Sequence, residues 1–170
     1  MRFDVKKEDI SALGFTECFK PFVAELTKPG DLRRAPPGAG LAVASSSNIE
    51  LLREAAKSNR ILLLYNKGFQ ADIGLIRDAA LKRKPFEIPV LPFLESEGIQ
   101  RAALMGKARF FIKLCLKFGA PIVIVSHACD PISLKSPQEM IAIGEALGLE
   151  RDQAKWAISE AAEMVLDVSR

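Results

Sequence analysis

The sequence predicts a single α/β domain over residues 1–170, built on a mainly parallel sheet. Three observations carry this. Runs of strand length alternate with helical stretches along the chain. Two of the strands, Ile61–Tyr65 and Ile122–Val125, are unbroken apolar runs, the pattern of strands covered on both faces. The connections between elements are short, as in βα units. At 170 residues the chain is one domain's worth of protein, and a chain of this size buries roughly two-thirds of its unfolded surface without a disulfide or metal staple.

Met1 to Val5 reads as a first strand, Lys7 to Leu13 as a polar helical turn stopped by Gly14, and Phe15 to Phe19 as a second strand. Thr27 to Gly40 holds Pro29-Gly30 and Pro36-Pro37-Gly38 on either side of Arg33-Arg34, and reads as a long Pro/Gly-rich loop. Leu41 to Ser45 resumes a strand. Ser47-x-x-Glu50 has the form of a capping box, and Leu51, Leu52 and Ala55 follow as the buried stripe of a helix. After the strand Ile61 to Tyr65 comes a helix over Asp72 to Lys84, with Ile73, Ile76, Ala80 and Leu81 on one side. Phe86 to Leu91 is a strand that Pro89 and Pro92 make irregular or edge-like.

Ile99 to Phe118 is the longest helix and Pro121 to Ser126 the clearest strand. Ser136-Pro137-Gln138-Glu139 is a second capping box, with proline at the first helical position, where its missing N–H costs nothing. That helix stops at Gly148, and a last one spans Glu150 to Leu166. Five or six strands leave two layouts open, an irregular incomplete barrel and an open sheet.

Hydrophobic residues make up 49% and charged residues 26%, which argues against disorder. No apolar run approaches the ~20 residues that cross a membrane, and no signal peptide is expected from the polar start. Cys18, Cys115 and Cys129 are scattered and odd in number, as in reduced thiols of a cytosolic protein. A single histidine, His127, excludes multi-histidine metal hydrolases. The net charge of +3 hides an asymmetry: Ser136–Arg170 carries −4 and the first 135 residues +7. A basic body fits a polyanion on one side, and the acidic C-terminal helices are expected to face a basic protein.

On the long helix, Leu104, Ala108, Phe111, Ile112, Cys115 and Phe118 share one apolar arc. Arg109, Lys113 and Lys117 recur every fourth residue on another face, with no acid between Arg101 and Lys117. The row is either a solvated face or a set of phosphate contacts. Arg101, at the edge of the apolar arc, fits an ion pair or helix-end contact better than a ligand contact. Arg77, Lys82, Arg83 and Lys84 form a second basic cluster, for which the C-terminal end of a helix is explanation enough. His127 follows a strand, where α/β folds place ligand sites. A catalytic group of Ser126, His127 and Asp130 is disfavoured, because neighbours on an extended backbone diverge and no nucleophile elbow, Walker or dinucleotide motif occurs.

The stretch Phe86–Val165 carries a resemblance as an ordered set. Its parts are Glu87-Ile88-Pro89-Val90, Leu94, Gly98 and Arg101, then Leu116-Lys117-Phe118-Gly119-Ala120-Pro121 and Ile122–Val125 with Ser126-x-Ala128. Leu134-Lys135-Ser136-Pro137 and Leu147-Gly148-Leu149 with Ala154 and Ile158-Ser159 complete it. The set resembles protein component 3 of archaeal ribonuclease P, and the first 85 residues match it more loosely. The resemblance implies an irregular, incomplete TIM-like barrel with mainly parallel strands, and a protein subunit with no catalytic residues of its own. It implies a catalytic RNA that uses Mg²⁺ to free the 5′ end of precursor tRNA, and no metal or cofactor held by the protein. The implied partners are that RNA, a second small α/β protein subunit and, indirectly, precursor tRNA, in the cytoplasm and away from membranes.

The matching motif positions are Arg101, Ser126, Ala128, Lys135, Ser136 and Pro137. The family often has arginine where Lys135 stands; lysine keeps the charge and loses the bidentate fork. Ser136-Pro137 is accounted for as a helix cap. The expected RNA contacts are Arg33, Arg34, Arg101, Arg109, Lys113, Lys117 and Lys135. The competing reading is a small α/β enzyme acting on a phosphate ester or sugar phosphate near Ser126–Asp130.

Overall fold

The computed structural model describes residues 22–34, 42–128 and 133–169. The elements expected at Met1–Val5, Lys7–Leu13 and Phe15–Phe19 lie outside these residues. Five strands, β1 (Phe22–Glu25), β2 (Ala42–Ser46), β3 (Leu63–Asn66), β4 (Phe86–Pro89) and β5 (Ile122–Val125), form one sheet in the order β1-β2-β3-β4-β5. Every pairing is parallel. Seven helices accompany them: α1 (Ile49–Lys57), α2 (Ile73–Leu81), α3 (Leu91–Glu95), α4 (Gly98–Phe118), α5 (Pro137–Ala146), α6 (Arg151–Ile158) and α7 (Glu160–Ser169). Strict sequence order, with no reversal, is the winding of a barrel wall rather than of a doubly wound sheet.

The period of two along each strand sorts the side chains into two layers. Ala42, Ala44, Leu64, Phe86, Ile88, Ile122 and Ile124 enter the main core with the apolar faces of α1 to α6. Val43, Leu63 and Val123 point the other way, where Ala161 and Val165 of α7 cover them. One layer of helices therefore lies outside the sheet, and α7 lies inside it.

Local chemistry sets the helix ends. Asn48, not Ser47, caps α1: its side-chain oxygen accepts from Glu50 N at 2.9 Å. Ser46 Oγ, the residue next to Ser47, instead accepts from Asn48 N at 3.0 Å and donates to Leu26 O at 2.7 Å. Asp72 caps α2. The expected capping box at Ser136 forms in both directions, and its amide and hydroxyl hold the Glu139 carboxyl below its ordinary range. The expected last helix is two helices. Ser159 breaks it, its hydroxyl donating to Lys155 O at 2.7 Å and bonding the Glu160 carboxylate, the local competition that serine offers a helix.

Two further expectations are corrected. β4 is an interior strand, flanked by β3 and β5, not an edge. Phe86 N and Val90 N donate to β5, at 2.9 and 2.8 Å, so alternation turns Pro89 toward β3. Pairing there is confined to Leu64 and Phe86, and the proline removes no ladder bond. The expected loop 27–40 also contains structure: Asp31–Arg34 form a 3-10 turn. Buried Asp31 organises it, accepting from Thr27 N, Thr27 Oγ1 and Lys28 N at 2.9 to 3.0 Å.

Candidate functional site

The longest described helix presents a basic face. Ala108, Phe111, Ile112 and Cys115 bury one side of α4, with Leu104 and Phe118 packed beside them, as the apolar arc predicts. Burial pushes the Cys115 thiol far up. Phe111 lies edge-on to Phe86 at 5.0 Å and 6.1 Å from Phe69, which fixes the helix about its axis. The opposite side is left to solvent: Lys107, Arg109, Phe110, Lys113 and Lys117 are all exposed.

The row Arg109–Lys113–Lys117 faces outward, but its members differ. Arg109 Nε donates to Ala146 O at 2.8 Å, tying α4 to the C-terminal end of α5, where a cation suits the helix dipole. Lys117 Nζ sits 5.7 Å from the Phe118 ring centroid, and Arg77 of α2 stands over the same ring at 4.9 Å. Lys107 and Lys113 have no ion-pair or hydrogen-bond partner among the described residues. Arg101 makes the helix-end contact, donating to Ser96 O at 2.7 Å and Leu94 O at 3.3 Å.

The remaining expected contacts are dispersed. Lys135 is half-buried and 3.9 Å from Glu139. Arg33 is exposed on the 3-10 turn, which Arg34 ends. Lys84 is not part of an exposed cluster: it is 8% exposed, and its ammonium donates to Ala55 O at 3.2 Å and to Ser58 O, closing the C-terminal end of α1. Desolvation, with Lys82 nearby, lowers its pKa to about 8.

The inner face of the sheet carries a second constellation. There Glu25 is in register with Ser45 and Ser45 with Tyr65, and Glu87 with Val123. His127 Nε2 and Glu87 Oε1 are 2.9 Å apart, and the His127 ring meets Tyr65 edge-on at 5.6 Å. Burial, then the Glu87 and Glu25 carboxylates, raises the Tyr65 pKa. Ser126 Oγ accepts from Ala128 N at 3.3 Å and is not joined to His127 by any described bond. Cys129 and Asp130 lie outside the described residues.

Sequence reasoning missed Lys107, Phe110, Tyr65 and Glu87. A lone acid inside the apolar run Phe86-Glu87-Ile88 is the signal for Glu87, and equal spacing of Lys107 and Lys113 about Phe110 is the signal for the other pair.

Comparisons with known proteins agree with one another. The family model described as RNase P subunit p30 matches residues 42–170. Ribonuclease P protein component 3 of Methanosarcina acetivorans is 31% identical over 122 residues, 69% of this chain and 51% of the relative. The protein of that name from Methanothermobacter thermautotrophicus is 27% identical over 150 residues, 83% of this chain and 61% of the relative. The chain thus spans roughly half to three-fifths of the length of these relatives. A chain in the cryo-EM structure of archaeal ribonuclease P with mature tRNA superposes with a TM-score of 0.77 at 22% identity. It covers 98% of this chain and 78% of that one, a likeness of fold.

Proposed function

Because the chain belongs to the RNase P subunit p30 family, we propose that it is a non-catalytic protein subunit of ribonuclease P that binds the catalytic RNA through the outward face of α4. In this reading it supports 5′ maturation of precursor tRNA, meets the precursor only indirectly, and works beside a second small α/β protein subunit in the cytoplasm. The Mg²⁺ chemistry belongs to the RNA. The chain's own residues supply position and charge. Among the described residues no helix is long and apolar enough to cross a membrane.

The observation that carries the reading is the solvent face of α4. Its cations meet no acid on their own helix, and Lys107 and Lys113 are unpaired among the described residues. Cations without acids beside them retain their full attraction for phosphate. Arg101, Arg33, Arg34 and Lys135 are secondary contacts in this reading, and Arg109 is mainly a tie between helices.

The test is the salt dependence of RNA binding. Each phosphate contact removed should lower the slope of log affinity against log salt by roughly 0.7 to 0.9. Lys113→Ala/Lys117→Ala should flatten it by about 1.5 while leaving the fold intact. An unchanged slope in the folded variant rejects the assignment. The competing enzymatic reading has one observation in its favour, the pairing of His127, just past β5, with Glu87 of β4. It requires His127 for turnover, whereas the subunit reading does not.

A further inference from the structure

We propose that Phe110 is a stacking platform for one unpaired nucleotide of RNA, with Gly106 as the gap that admits the base. The inference rests on the RNA-binding reading of α4 and deepens it.

Phe110 is 57% exposed in the middle of the longest helix and makes no ring contact among the described residues. A single exposed apolar residue is ordinary; its surroundings are not. Lys107 and Lys113 stand three residues before and after it, and Lys117 two turns beyond. All three share its face at 1.5 Å of rise per residue. The platform is rigid, because the next residue, Phe111, is locked between Phe86 and Phe69.

Side chains on a helix lean toward its N-terminus, and Gly106 stands one turn before Phe110 in that direction. Glycine inside a helix costs stability relative to alanine. Nothing among the described residues requires it here: a Cβ at Gly106 would meet no described atom within 4 Å. The glycine therefore leaves open space beside an aromatic ring that is flanked by lysines. A planar base fits that space, and its phosphates fall among the ammonium groups.

Unpaired bases stack on exposed aromatics in this manner, whereas paired bases are already stacked on each other. A protein partner fits less well, because lysine is depleted from the centres of protein interfaces.

The experiment uses the full chain with two probes, a single-stranded oligoadenylate and a blunt RNA duplex of equal length. Phe110→Ala should weaken oligoadenylate binding about 5- to 100-fold, the scale of one lost base stack, with the salt slope unchanged. Duplex binding should hardly move. Gly106→Leu, which fills the gap, should weaken oligoadenylate binding in the same way. Trp156 is the sole tryptophan, so Phe110→Trp in a Trp156→Phe background gives a single reporter whose fluorescence the oligoadenylate should quench.

Equal affinity of wild type and Phe110→Ala for oligoadenylate overturns the platform, as does an equal loss on both probes. Unchanged RNA binding with weakened capture of a protein subunit reassigns the face to protein. If wild type shows a steep salt slope and only the Phe110 variants are silent, the stacking inference alone fails. If wild type shows no salt-dependent binding, the RNA reading fails with it.

Discussion

Glu87 offers one carboxylate oxygen to His127 Nε2 at 2.9 Å and leaves the other, Oε2, with no hydrogen-bond partner among the described residues. The glutamate side chain is 2% exposed. A buried acceptor that loses its partner carries its desolvation cost uncompensated, about 1–3 kcal/mol. His127→Ala should therefore lower the thermal midpoint clearly, and Glu87→Gln in the same background should restore part of it. Reconstituted cleavage, measured well below that midpoint, should stay within a few-fold of wild type. A loss on the order of 10²- to 10⁴-fold, the scale of a missing general base, would favour the enzymatic reading.

Lys84 makes stability depend on pH in the alkaline range. Its pKa is lowered from 10.5 to about 8 in the fold. Below pH 8 it is charged in both states, and folding carries the full cost of its burial. Between about 8 and 10.5 the unfolded chain holds a proton that the folded one has released, so stability rises with pH. Tyr65, raised above 10.0, acts oppositely only above pH 10. Wild-type thermal midpoints should climb relative to Lys84→Met from pH 8 to pH 10. Parallel profiles for the two proteins would contradict this.

Gly144 marks a close approach of α5 to both α6 and β5. A Cβ there would lie 2.9 Å from both Ala154 Cβ and Ile124 Cδ1. Gly144→Ala should gain close to 1 kcal/mol in helix propensity and lose about 1–3 to overpacking. The expected net result in denaturant unfolding is destabilisation. Gly106→Ala, on an open helix face, should be stabilising in the same assay.

Arg109 should separate from its two neighbours. It closes a carbonyl at the end of α5, a bond to a charged donor worth on the order of 1 kcal/mol at an exposed site. Lys113→Ala and Lys117→Ala are surface changes within about 0.5 kcal/mol. Urea midpoints of the three single variants should therefore rank Arg109→Ala lowest. Equal midpoints would show that the Ala146 contact carries no stability.

The sequence makes most of this fold legible wherever one element has one dominant local cause. Unbroken apolar runs mark β3 and β5, and Ser136 through Glu139 specify a helix start to the residue. Where the cause is tertiary, the reading falls short. β1 is four residues, largely exposed, and only its ladder to β2 makes it a strand. The break at Ser159 has no glycine or proline to announce it. Lys84 reads as one of four clustered cations at the end of its own helix, because nothing local shows that its ammonium reaches the end of α1. The outward row on α4 is visible as periodicity alone, but which of its cations is already engaged depends on α5, thirty-seven residues away.

Each described strand lies beside the one synthesised just before it, so a nascent chain can lay down the outer layer and sheet in the order in which they leave the ribosome, without waiting for a distant segment. The inner surface does not share that advantage. Val43, Leu63 and Val123 wait for Ala161 and Val165, which follow all five strands. A ribosome paused just before Glu160 would hold the five described strands with Val43, Leu63 and Val123 not yet covered by α7, the kind of transiently exposed apolar surface that promotes aggregation.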